Sequence, residues 1–150
     1  MKKVFVLRGV SHRGKTQTIR AFDELLRQKY PTAIVEHEHR TKVELQAILN
    51  INDVKIGIET TAEKRIEESL ELFVKLGCDV IICATRTRGK CVAAVEALPG
   101  FEVVWFERQA QSDPVERLFS NMAMARQLVE ETEKAFASAK PAVLVRAAGR

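Results

Sequence analysis

Apolar positions change their period several times along the chain, and each change predicts an element. Residues 3–8 (KVFVLR) are a short apolar, β-branched run that stops at Gly9, a strand pattern. Ile19, Phe22, Leu25 and Leu26 then share one helical face, and Pro31 ends that helix after Tyr30. AIVEHEH (33–39) predicts a second strand. Thr41 with Glu44 three residues on is a capping-box signal and predicts a short helix through about Leu49. VKIGIE (54–59) follows as a third strand. Thr60 and Glu63 repeat the capping box, and Ala62, Ile66, Leu70, Phe73 and Val74 keep helical spacing up to a C-cap at Gly77. CDVIICAT (78–85) is apolar on both faces, as a central parallel strand is. A short helix (about 90–98) closes at Pro99-Gly100, and FEVVWFE (101–107) predicts a fifth strand. Asp113, Pro114 and Glu116 open a final long helix, whose stripe of Val115, Leu118, Met122, Ala125, Val129, Thr132 and Phe136 predicts packing across a sheet. The tail after Pro141 (AVLVRAAGR) reads equally as an edge strand or a frayed end.

Five strands alternating with five helices over short connections predict an α/β fold, three layers α/β/α, around a five-stranded, mainly parallel sheet. With no repeat, linker or composition break, residues 1–150 read as one domain. Composition narrows the class further. The chain is 46% hydrophobic and 29% charged, which excludes disorder, and its longest apolar runs fall far short of the ~20 residues that span a bilayer. The N-terminal apolar stretch breaks at Arg8, so it is not a signal peptide. Cys78, Cys83 and Cys91 form no CxxC pair and read as small hydrophobes in a reducing, cytoplasmic setting. Twenty-four Lys plus Arg against twenty Asp plus Glu leave +4, too mild to name a partner by itself.

Candidate chemistry lies directly after the first strand. Residues 9–16 read GVSHRGKT, a full match to GxxxxGK[ST], opening the first helix. Glycines at the first and sixth positions let the loop curl and bring backbone N–H groups to phosphate oxygens, with the positive end of the helix facing the same charge. Gly9, Val10, Ser11, His12, Arg13, Gly14, Lys15, Thr16 and Gln17 therefore form the candidate phosphate cradle. Lys15 would reach the outer phosphates and Thr16 would offer its hydroxyl to Mg²⁺.

On these residues, and on the α/β alternation over about residues 3–138, the chain resembles the P-loop NTPase superfamily. The resemblance implies a P-loop NTPase fold with a nucleoside triphosphate and Mg²⁺ at the C-terminal ends of parallel strands. The NKxD segment of the family's GTPases is missing, as the fourth strand ends ATRTRGK and the fifth WFERQAQ, and the GKGGxGKT loop of the MinD-like members is also absent. Size leaves small nucleotide and small-molecule kinases as the nearest type, with ATP as the nucleotide and a stand-alone ATPase as competitor.

In such a protein the Mg²⁺-organising acid closes an apolar strand. Glu59, at the end of VKIGIE, is the candidate, though the family pattern places Asp there. Arg86, Arg88 and Lys90 follow the fourth strand, Arg108 the fifth, and Arg8, His12 and Arg13 flank the loop. That basic rim falls at strand C-termini, where open α/β sheets bind ligands. Arg86 and Arg88 resemble, in position, the lid arginines that clamp a transferring phosphoryl group, although the same turn reads as a solvated segment capped by Gly89. Glu36 and Glu38 would share one face of the second strand, with His37 and His39 on the other, near where an acceptor sits in such kinases. Without a third Cys or His, the histidines make a poor metal site.

The expectation is thus an ATP and Mg²⁺ binding protein that transfers a phosphoryl group to a small molecule or nucleotide, with room for a small anionic acceptor as partner. Lys15, Arg86, Arg88 and Glu59 would be its working residues. The rivals are acceptor-free hydrolysis and a nucleotide-gated binding module without turnover. Nucleic acid is disfavoured because the basic rim has no interleaved aromatics. No membrane partner is expected, and exposed stripe residues leave room for a homodimer.

Overall fold

The computed structural model describes residues 2–9, 12–61, 65–107 and 113–139, without the side chains at 12–13 and 137–139. Val10, Ser11, Glu63, Arg108 and the tail lie outside the described residues, as do the side chains of His12 and Arg13. The elements run β1 (Lys2–Arg8), α1 (His12–Lys29), β2 (Ile34–Arg40), β3 (Leu45–Ile51), β4 (Val54–Glu59), α2 (Ile66–Lys75), β5 (Val80–Thr85), α3 (Lys90–Glu96), β6 (Phe101–Glu107) and α4 (Pro114–Ala139).

These make an α/β fold around one six-stranded mixed sheet in the order β2-β3-β4-β5-β1-β6. Four neighbouring strands, β4, β5, β1 and β6, are parallel, with Val6 of β1 opposite Cys83 of β5 and Trp105 of β6. β3 is antiparallel to both β2 and β4. The expected five-stranded, mainly parallel sheet is corrected at residues 41–51, which form a turn and a strand instead of a helix. Thr41 Oγ1 does accept the Glu44 N–H at 2.9 Å, as a capping box requires. The same residues are closed by a Thr41 N–H to Glu44 carbonyl bond, which makes a tight hairpin turn.

Alternate strand residues feed two apolar layers. Phe5, Leu7, Leu45, Leu49, Ile56, Ile58 and Ile82 pack with α1 and α4, whereas Val4, Val6, Ile48, Ile81 and Cys83 pack with α2 and α3. Each fully buried Leu, Ile or Phe contributes about 1.5–3 kcal/mol of transfer free energy. On the second face Gly57 makes room for Phe73, whose Cγ would lie 2.6 Å from a Cβ built at that glycine.

α2 runs from Ile66, and Thr60, expected to cap it, serves the sheet: its hydroxyl accepts the Leu45 N–H at 2.8 Å, while Ala62 and Glu63 lie outside the described residues. α4 begins at Pro114 as expected, with Asp113 accepting the Val115 N–H. Its apolar stripe is buried only from Ala125 onward, however, and Val115 and Leu118 are about 60% exposed. Contacts of Asn121 with Gln17 and Thr18 at one end, and of Glu133 with Lys29 and Tyr30 at the other, run α4 alongside α1.

Candidate functional site

The site grows from the C-terminal ends of β1 and β5. β1 leads into α1 on one face of the sheet, and β5 leads into α3 on the other, so a crevice opens between these adjacent strand ends. In register, Arg8 at the end of β1 lies opposite Thr85 at the end of β5.

Lys15, in the first turn of α1, closes this crevice. It is only 3% exposed. Its ammonium donates to the Gly9 carbonyl at the end of β1 and, at 2.9 Å, to the Thr85 carbonyl at the end of β5. The Gly9 N–H donates to the same Thr85 carbonyl at 3.3 Å. A buried cation needs such partners, since unpaired burial of a charge is strongly unfavourable. Gly14 is buried and Thr16 half-buried beside Lys15, while Gln17 is exposed.

α4 braces this first turn. Asn121, 3% exposed, donates to Gln17 Oε1 at 3.0 Å and places its Oδ1 3.2 Å from the Thr18 hydroxyl, which donates to the Gly14 carbonyl at 2.6 Å. Sequence reasoning passed over Asn121. Its signal was a carboxamide inside a stripe of Leu, Met and Ala.

Glu59 closes β4 and is fully buried. Its Oε1 accepts from the Ser69 hydroxyl of α2 and from Gln46 Nε2 of β3 at 3.3 Å. Its Oε2 accepts the Thr61 N–H at 2.9 Å, with the Arg65 guanidinium 3.9 Å away. Gln46 also binds His37 across the strands at 2.7 Å. Neither Ser69 nor Gln46 was anticipated, and the role of Gln46 depends on β3 being a strand.

Beside Glu59, on the same face, burial pushes the Cys83 thiol well above its ordinary range, and Glu59 pushes it further. Burial likewise raises Cys78 to about 12. Both therefore stay thiols near neutral pH and act as apolar filling, not nucleophiles.

Beyond Cys83, Thr85 is fully buried, and its hydroxyl has no hydrogen-bond partner among the described residues. An orphaned buried hydroxyl costs about 1–3 kcal/mol. Sequence reasoning missed this residue, since a Thr ending an apolar strand carries no distinguishing mark.

The basic rim divides. Arg86 and Arg88 are exposed in the turn after β5, held by Gly89 at φ 109°, a backbone that only glycine adopts readily. Lys90 is exposed as well. Arg8 instead turns outward, with Nε 2.8 Å from Glu107 Oε1 and its guanidinium 4.4 Å above the Trp105 ring. The expected grouping of Glu36 with Glu38 also fails. A bulge between Val35 and His37 breaks the alternation, so Glu36 reaches Asn50 and Lys55, whereas Glu38 reaches Arg27 of α1 and Arg40.

Among the described residues no group of three His, Cys, Asp or Glu could hold a metal ion, and no helix is long and apolar enough to cross a membrane. Magnesium carried on phosphates needs no such cage, because it keeps waters and takes only one or two protein oxygens. The half-buried Thr16 beside Lys15 suits that demand. Compared with known proteins, the chain matches no family model, no curated protein and no solved structure.

Proposed function

We propose that this chain is a P-loop protein that binds ATP with Mg²⁺ and transfers the terminal phosphoryl group to a small anionic acceptor. The observation that carries the reading is Lys15: a buried ammonium that spans the ends of β1 and β5 at the point where their helices diverge to opposite faces. An open α/β sheet binds its ligands in that crevice. The carbonyls holding Lys15 are neutral, so a phosphate oxygen competes favourably for the ammonium once it arrives.

In this reading the amides of residues 9–16 and the N-terminus of α1 take the phosphates, and Thr16 gives a hydroxyl to Mg²⁺. When bound, Mg²⁺ neutralises charge on the outer phosphate oxygens. Arg86 and Arg88, exposed at the same sheet edge, supply guanidinium groups for the charge that spreads over the transferring group. Catalysis would then be mostly positioning and charge neutralisation.

A second reading, hydrolysis without an acceptor, is favoured by Glu59. Among the described residues its Oε1 takes two donors and its Oε2 the Thr61 N–H, with the Arg65 guanidinium 3.9 Å away, so a carboxylate stands at the C-terminal end of β4.

Calorimetry with a non-hydrolysable ATP analogue and with ADP, with and without Mg²⁺, tests the site. Binding that depends on Mg²⁺ and vanishes in Lys15→Ala is the expected result, and no binding by the wild-type protein overturns the reading. ADP release that rises with an acceptor from a metabolite panel supports transfer, whereas acceptor-independent release lost in Glu59→Gln supports hydrolysis.

A further inference from the structure

We infer that Thr85 determines the specificity of the phosphate site: its side-chain hydroxyl is the group that distinguishes a nucleoside triphosphate from the diphosphate. The inference rests on the proposed phosphate site and adds to it a residue outside the GVSHRGKT motif.

Two independent observations meet at this position. The Thr85 carbonyl is the anchor shared by the Lys15 ammonium and the Gly9 N–H, so Thr85 lies where the lysine tip rests. That tip marks the outer phosphates, because the loop amides at the start of α1 take the inner ones. Separately, the Thr85 hydroxyl is fully buried with no partner among the described residues. Alternation along β5 sets it on the face of Cys83, beside which Glu59 lies, so the hydroxyl and that carboxylate look to one side of the sheet.

A buried orphan hydroxyl has to be accounted for. Folding alone gives no reason for Thr here, since Val has the same shape and lacks the unmet group. A ligand oxygen that arrives only with the third phosphate gives one.

Thr132 supplies the internal control. It too is fully buried with a hydroxyl that has no partner among the described residues, but it sits in the second half of α4, next to Glu133, which reaches Lys29 and Tyr30 at the opposite end of α1 from Lys15. In a helix, rotation about χ1 can turn such a hydroxyl onto the carbonyl of the preceding turn, so its state needs no ligand.

The experiment uses the full chain with Mg²⁺, a non-hydrolysable ATP analogue and ADP as probes, and compares Thr85→Val, Thr85→Ser and Thr132→Val with wild type. Thr85→Val should melt at or above the wild-type temperature, while its affinity for the ATP analogue falls about tenfold and its ADP affinity stays within about twofold. Thr85→Ser should restore the discrimination, and Thr132→Val should leave both affinities unchanged. Wild-type discrimination retained in Thr85→Val, or ATP analogue and ADP weakened equally, overturns the inference and leaves the phosphate site standing. Absence of any nucleotide binding by wild type overturns both.

Discussion

The parallel strands and the β2–β3 hairpin belong to one sheet yet are held in place by different forces. β5 is buried at every position and β1 at its four central ones, with helices on both faces. β2 is exposed at six of its seven positions. What anchors β2 beyond its backbone pairing is charge: Glu38 to Arg27, Arg40 to the buried Asp23, Glu36 to Lys55. The candidate site is built from the apolar half; in the hairpin, patterning found the exposed strand β2 and misread the largely buried β3 as a helix.

The contrast can be tested from its strong end to its weak one. Phe73→Ala, which empties the space over Gly57, should cost about 3–5 kcal/mol in denaturant unfolding. A loss below about 1 kcal/mol would mean that the α2 face is not a packed layer. Asp23→Ala removes the buried partner of Arg27 and Arg40, leaving them Glu38, and should cost about 1–3 kcal/mol. Hydrogen exchange should then speed up in β2 and stay slow in β1, and equal acceleration of both would contradict the division of forces. Thr41→Ala removes the acceptor in the hairpin turn and should cost about 1 kcal/mol.

Acid supplies a gentler probe. Asn50, followed by Lys55, holds the Glu36 carboxyl below its ordinary range. Burial acts to raise Glu38, but Arg27 and Arg40 outweigh it and hold that carboxyl low too. A depressed folded value means that the stabilisation is present above the ordinary carboxylate value and is lost as pH falls through the folded one. Stability should therefore decline as pH drops below about 4.5, less steeply in a Glu36→Gln, Glu38→Gln protein. Smallest of all, Ile34→Thr, at a position 62% exposed, should change stability by no more than about 0.5 kcal/mol.

Most elements were legible because burial on both faces, as in VIICAT, or a clear helical stripe leaves few alternatives. The stretch from Thr41 to Ile51 misleads for a definite reason. The Thr41 and Glu44 pair announces a helix start, yet it closes the hairpin turn, and Gln46, Ile48 and Asn50 then alternate onto the α2-facing side of the strand. The Thr41 hydroxyl makes the hydrogen bond a capping box needs, so the local chemistry was read correctly and assigned to the wrong element. Within the site, the motif residues are legible because their spacing is itself the signal. Thr85, Asn121, Gln46 and Ser69 are not, because each acquires its role from a neighbour distant in sequence.

That distance bears on the order in which the protein assembles. The Lys15 ammonium waits for a carbonyl 70 residues ahead, and the brace from Asn121 to Gln17 closes 104 residues later. During synthesis Lys15 and Gln17 precede β5 and α4, so the candidate site can take its shape only after both have followed. Closing such wide loops before any contact rewards them is slow, so the candidate site is among the last parts of the molecule to acquire its shape.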